Sequence, residues 1–194
     1  MVELVATERT KKFNVILADP PWSFKTWSPK GNGRGAVQHY PTMHLDEICA
    51  LQVQSLAGEN SALFLWAVGP SLPDAILVMK AWGFTYKTIG FSWFKSNKNG
   101  EGFKIGMGFY TRANVELCLL GVRGKMPVMA RDVRQVIYAP PREHSRKPDE
   151  VYERIEQLYP GMSYLELFAR QRWQGWSAWG NEVDSDIDLA SFSS

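Results

Sequence analysis

Apolar positions along the chain fall into short continuous runs, and amphipathic stretches lie between them. Residues 13–18 (FNVILA) are rich in β-formers and are closed by Pro20-Pro21, the pattern of a strand buried on both faces. Residues 62–68 (ALFLWAV) read the same way, and residues 84–95, 115–122, 164–169 and 176–180 predict four further strands. Helices are expected over residues 45–56, over 70–82 with Gly83 as the stop, and over 148–159. The last opens on Pro148, with Asp149 and Glu150 in its first turn. This alternation predicts one α/β domain over residues 1–183, a mostly parallel sheet with helices on both faces. Residues 23–38 and 96–111, both glycine-rich, are expected to be flexible loops, and 123–142 an irregular basic segment. The acidic, serine-rich residues 184–194 are expected to form a disordered tail.

Composition narrows the class. A chain of 194 residues with 45% apolar content sustains one well-buried domain. Its apolar runs fall far short of the ~20 residues that span a bilayer. Residues 1–12 lack the apolar centre and cleavage site of a secretory signal, so the cytoplasm is the expected location, with no membrane partner. Cys49 and Cys118 read as small core residues, and His39, His44 and His144 are scattered, so no metal site is expected. Eight tryptophans are more than such a core needs. Some are expected as exposed platforms for a ligand, and their clustering leaves a homodimer open. Between Lys87 and Lys147 stand twelve Lys/Arg against four Asp/Glu, although the whole chain carries only +2. Such a segment is either a phosphate-contacting surface or a solvated loop.

In parallel sheets ligands sit at the carboxyl ends of the strands. The loop after the first strand reads Asp19-Pro20-Pro21-Trp22. A carboxylate beside a proline-stiffened carbonyl can accept both N–H bonds of an amino group. That pulls a nitrogen whose lone pair is delocalised into an aromatic ring towards tetrahedral geometry. Trp22 would add a face for base stacking, worth roughly 1–3 kcal/mol. A stiff turn that merely closes the strand is the competing reading of these four residues.

The order of motifs around that turn is more specific. After Asp19–Trp22 come His39-Tyr40-Pro41-Thr42-Met43, ALFLW, Trp93-Phe94-Lys95 and Glu116-Leu117-Cys118-Leu119-Leu120-Gly121. Then follow Ser145-Arg146-Lys147-Pro148-Asp149-Glu150, Leu165-Glu166-Leu167-Phe168-Ala169-Arg170 and Trp179-Gly180-Asn181-Glu182. This series, over roughly residues 13–183, resembles the adenine-N6 methyltransferases related to the catalytic subunit of the mRNA N6-adenosine writer.

The resemblance implies a Rossmann-like methyltransferase that uses S-adenosylmethionine, with its catalytic motif ahead of its cofactor-binding motif. It implies a catalytic group of Asp19, Pro20, Pro21 and Trp22. Lys147 would pair with the cofactor's methionyl carboxylate, Phe168 and Arg170 would border its ribose and adenine, and Asn181 with Glu182 would meet the ribose hydroxyls. Tyr40, Trp93, Lys95 and Glu116 match the substrate side. The chain departs from its eukaryotic relatives in having only twelve residues before Phe13, where they carry an acidic contact to the cofactor's adenine. It also carries no zinc-finger extension. This compact form resembles the bacterial or phage branch, for which double-stranded DNA is the expected substrate, through a flipped-out adenine. The alternatives are the same reaction on RNA and a non-catalytic nucleic-acid-binding partner subunit. An inactive copy would be expected to lack Asp19 or Lys147.

Overall fold

The buried runs form the middle of a sheet in a computed structural model of the chain, which describes residues 11–23, 42–106, 110–143 and 146–189. Among the described residues the sheet has seven strands: β1 (Phe13–Ala18), β2 (Ala57–Ala67), β3 (Thr85–Lys95), β4 (Val115–Arg123), β5 (Val136–Ala139), β6 (Tyr164–Leu167) and β7 (Trp176–Trp179). Their order is β5-β3-β4-β2-β1-β6-β7. Six strands run one way, and β4 runs antiparallel between β2 and β3. The helices are α1 (Leu45–Ala50), α2 (Val53–Leu56), α3 (Leu72–Ala81) and α4 (Glu150–Leu158).

Alternation along the central strands divides the core in two. Ile16 and Ala18 of β1 and Leu63 and Leu65 of β2 join Ile48, Val78 and Met79 of α1 and α3 on one face. Val15 and Leu17, with Phe64 and Trp66, pack on the other face against Val151, Tyr152 and Ile155 of α4. Burial on both faces explains why these strands read as unbroken apolar runs. Gly121 of β4 sets the approach of α3, since a Cβ there would lie 2.5 Å from the Met79 sulfur.

Several expectations are corrected. The helix expected over residues 45–56 breaks at Leu51, whose backbone is extended. In one straight helix Val53 would point about 140° away from Ile48, at ~100° per residue. The break instead lets Ile48, Val53 and Leu56 share one core. Strand β2 starts five residues before the expected 62. The irregular basic segment contains β5, and Arg154 donates to the outward carbonyls of Arg134 and Val136, blunting that free sheet edge.

Residues 96–104 form a hydrogen-bonded hairpin rather than a flexible loop: Asn97 N–H donates to Gly102 O at 3.2 Å and Lys104 N–H to Lys95 O at 2.8 Å. Residues 184–189, expected to be disordered, pack beside β7. There the Asp186 carboxylate accepts from Ala178 N–H at 2.9 Å and from Arg172 at 2.8 Å, while Leu189 is buried in the core and Ile187 packs against it. Two apolar residues in an acidic stretch suffice, because the acid has its own basic and backbone partners. The rest of the expected tail, 190–194, and most of the expected loop 23–38 lie outside the described residues.

Candidate active site

Connections leave β1 towards β2 on one side and β6 towards β7 on the other, so the loops after β1 and β6 part and open a cleft. Asp19, Trp66, Lys147, Glu166, Phe168 and Arg170 are among its lining.

The turn after β1 is held from both ends. Trp22 N–H donates to Pro20 O at 2.8 Å, and Met43 N–H donates to Pro21 O at 3.0 Å. Pro20 O therefore keeps one of its two lone pairs for another donor. Trp22 does not present a stacking face. It is only 7% exposed, lies in the core, and donates its indole N–H to Trp66 O at 3.0 Å. Burial of the large ring outweighs exposure, and the residue serves as the anchor of the turn. The other tryptophans behave alike: none of the seven within the described residues is exposed, so these seven form no exposed platform, while Trp27 lies outside the described residues.

Four charges alternate along the cleft. Lys147 Nζ lies 2.6 Å from Asp19 Oδ2 and 3.4 Å from Glu116 Oε2, and Lys95 pairs with Glu116 from the other side. The two ammonium groups stand over indoles, Lys147 at 5.4 Å from the Trp66 ring centroid and Lys95 at 4.9 Å from that of Trp93. These rings meet edge to face at 6.4 Å. Burial works against the charge on Lys147, but the Asp19 and Glu116 carboxylates outweigh it and hold its pKa above the ordinary lysine range. Burial likewise opposes the charge on Glu116, yet Lys147 and Lys95 hold that carboxyl below its ordinary value. Removing one member of such a part-buried set leaves a desolvated charge, which costs far more than the intact pair contributes.

The β6 side of the cleft is different. Glu166 is a buried carboxyl within an apolar strand, and burial pushes its pKa up to about 7. Tyr152 donates to Oε1 at 2.8 Å, but among the described residues Oε2 has no hydrogen-bond partner, and neither has the indole N–H of Trp66 on β2, on the other side of β1. Phe168, just past β6, has φ of +62°, a left-handed conformation that costs a non-glycine residue ~1–2 kcal/mol. Gly180 lies against Ala169, where a Cβ would come within 2.2 Å of the Ala169 carbonyl oxygen. That close approach brings exposed Asn181 and Glu182 beside the β6 loop, and Glu182 reaches Arg170 at 3.8 Å.

Asp149 stands at the N-cap of α4 but makes no cap. Its carboxylate instead accepts from Arg142 at 2.7 and 2.8 Å, Arg146 at 3.1 Å and Gln171 at 3.2 Å, which ties the segment carrying Lys147 to the β6 loop. Hydrogen bonds from Arg142 above all hold its pKa well below the ordinary carboxylate range.

Asp19, Pro20, Lys95, Glu116 and Lys147 are thus brought together, with Phe168, Arg170 and Glu182 across the cleft. Trp93 is present only as support, 1% exposed and bonded to Ala139 O at 2.8 Å. Tyr40 lies outside the described residues. Glu166 and Asp149 were not singled out from sequence, since an acid inside an apolar strand or at a helix start gives no sign of its partners. The basic excess between Lys87 and Lys147 is also not one surface. Lys87 and Arg123 sit at the far end of β3 and β4, ~26 Å from Lys95 at ~3.3 Å per residue, while Lys98 and Lys104 lie at the cleft end.

Comparison with known proteins agrees with this architecture. The type II methyltransferase M.MunI of Mycoplasma sp is 35% identical over 197 residues, covering 92% of this chain and 82% of that protein. The MT-A70-like N(6)-adenosine-methyltransferase of Arabidopsis thaliana is 34% identical over 176 residues, and the human catalytic subunit METTL3 is 32% identical over 177. Each match covers 89% of this chain but only 24% and 28% of the relative. No helix of the described residues is long and apolar enough to cross a membrane. Residues 13–182 match the MT-A70 family, and the chain belongs to that family of methyltransferases.

Proposed function

We propose that the protein transfers a methyl group from S-adenosylmethionine to the N6 amine of adenine in double-stranded DNA. The observation that carries this reading is Asp19, held on a proline-stiffened turn at the mouth of the cleft with one carboxylate oxygen bound to Lys147. The relatives are named as a type II methyltransferase and as N(6)-adenosine-methyltransferases, which supports methyl transfer to this nitrogen. The type II enzyme is matched over most of its length, which favours DNA.

The residues of the cleft fit the cofactor. Trp66 Nε1 and Glu166 Oε2 are a buried donor and a buried acceptor lacking partners among the described residues, the sign of a polar ligand. Lys147 offers the cation for a methionyl carboxylate, while Phe168, Arg170, Asn181 and Glu182 border the ribose and adenine. When bound, the cofactor supplies an electrophilic methyl on its sulfonium. Asp19 accepts one amino N–H through its other oxygen, and Pro20 O accepts the second with its spare lone pair. Together they fix the nitrogen in line and draw its lone pair out of the ring. No strong base is needed, because the amine becomes acidic once methylated and its proton leaves to water or to Asp19. Lys95 and Glu116 close the substrate side.

The test offers labelled S-adenosylmethionine with duplex DNA, single-stranded DNA and RNA, followed by nucleoside digestion. N6-methyladenine in the duplex is the expected product. Label in RNA alone would move the substrate, and no label despite cofactor binding would favour a non-catalytic partner subunit.

A further inference from the structure

Beyond the cleft, an aromatic surface of the sheet is only partly covered by the described residues. Phe94 of β3 and Tyr138 of β5 stand in register on the face opposite Trp93 and Ile137, past the reach of the first core cluster. The hairpin at 96–104 folds back over them and adds Phe103, 6.1 Å from the Phe94 ring and 5.6 Å edge to face from Tyr138. Three features make the group rigid. The Tyr138 hydroxyl donates to Gly102 O at 2.6 Å, Ser96 and Phe103 form a bridge, and Ser96 N–H donates to Ala139 O at 3.1 Å. Yet Phe103 is 53% exposed and Tyr138 45%. Holding large rings in place without burying them forgoes hydrophobic stabilisation, so the arrangement asks for a flat partner.

Charge identifies that partner. Lys98 and Lys104 are exposed on the same hairpin, with Lys95 at its base and Glu101 as its acid. Aromatic faces interleaved with lysines suit bases joined by phosphates, and they suit an apolar protein surface poorly. We propose that Phe103, braced edge-on by Tyr138, forms a ledge on which a base of the nucleic-acid substrate stacks, with Lys98 and Lys104 on the adjoining phosphates. This rests on the methyl-transfer reading and adds a contact away from the reacting base. Strands β3 and β5 lie three and four places from β1, or ~14–19 Å at ~4.8 Å per strand. At ~3.4 Å per nucleotide the stacked base therefore stands about four to six positions from the target adenine.

The test measures affinity of the full chain for a fluorescent adenine-containing oligonucleotide, beside its affinity for S-adenosylmethionine and its mass in solution. Phe103→Ala is expected to weaken oligonucleotide binding about 5- to 150-fold, and Phe103→Tyr to restore it, with cofactor affinity unchanged. Lys104→Gln, which disturbs no packing, should lower the salt dependence of binding by about one counterion. Oligonucleotide affinity within twofold of wild type in Phe103→Ala, with an unaltered salt slope in Lys104→Gln, would overturn the proposal. So would a loss of binding accompanied by a change from dimer to monomer, which would make the ledge a contact between copies of the chain. If the wild-type protein methylates adenine while these variants bind normally, only the ledge fails. If it binds cofactor but methylates no nucleic acid, the methyl-transfer reading fails, while the ledge still stands or falls on oligonucleotide affinity.

Discussion

The two walls of the cleft are built on opposite principles. On the β1 side every charge described has a partner: Asp19, Lys147, Glu116 and Lys95 alternate in sign and sum to zero. On the β6 side a carboxyl oxygen of Glu166 lacks a partner among the described residues, and Phe168 is held in a left-handed conformation. The first wall is assembled by its own electrostatics and stands ready for a substrate. The second leaves a buried oxygen unsatisfied among the described residues, the kind of atom that a polar ligand would complete. Strain and an unpaired oxygen are tolerable on that wall because the dense packing of β1, β2 and α4 behind it fixes the backbone.

Removing the shared cation should break the first wall most severely. Lys147→Met leaves Asp19 without its cation and Glu116 with Lys95 alone. It is expected to lower stability by about 3 kcal/mol and methyl transfer by more than 100-fold, read from urea unfolding and turnover. Unchanged stability would show that the network is loose in solution.

Glu166→Gln probes the second wall through pH. A pKa of about 7 in the folded chain, against 4.5 for an ordinary glutamate, means that the fold favours the protonated acid. Its contribution is full below pH 4.5 and is lost as pH rises through 7, a decline of up to about 3 kcal/mol. Urea midpoints between pH 4.5 and 7.5 should lose that slope in the variant. The shift at Asp149 acts below pH 3.8 and leaves this window clear.

Gly180→Ala tests whether the second wall depends on close backbone approach. The added Cβ would meet Ala169 backbone at 2.2 Å, so stability should fall by about 1–3 kcal/mol, with cofactor affinity falling too as Asn181 and Glu182 move. Smallest is Tyr152→Phe, which removes the one donor to Glu166 and should cost about 1 kcal/mol while moving the pH-dependent loss higher. A lower window would contradict the assigned cause.

What was legible in the sequence follows the same division. The paired core strands β1 and β2 stood out because burial on both faces writes an unbroken apolar run, and α3 because Pro and Gly mark its ends. Strand β5 was missed: it is four residues long, and only Ile137 enters the core. The break at Leu51 was missed because no glycine or proline announces it; the reason lies in which side chains reach the sheet. Asp19, Lys95, Glu116 and Lys147 were singled out by motif and resemblance, but their mutual pairing was not. Lys147 was expected to face a cofactor carboxylate, and it binds Asp19, 128 residues earlier in the chain. The motif that contains Glu166 assigns it no role, since neither its burial nor its unpaired oxygen can be read from spacing. Trp22 was misjudged because a tryptophan in a loop gives no hint of whether its ring turns outward or into the core.

The most direct measurement is the N6-methyladenine formed in duplex DNA by Asp19→Ala, with S-adenosylmethionine binding followed by calorimetry in the same preparation. The account predicts turnover at least about 100-fold lower with the cofactor still bound, since Asp19 is assigned to the reacting amine. Turnover within tenfold of wild type, or a methyl group found on another atom, would contradict it.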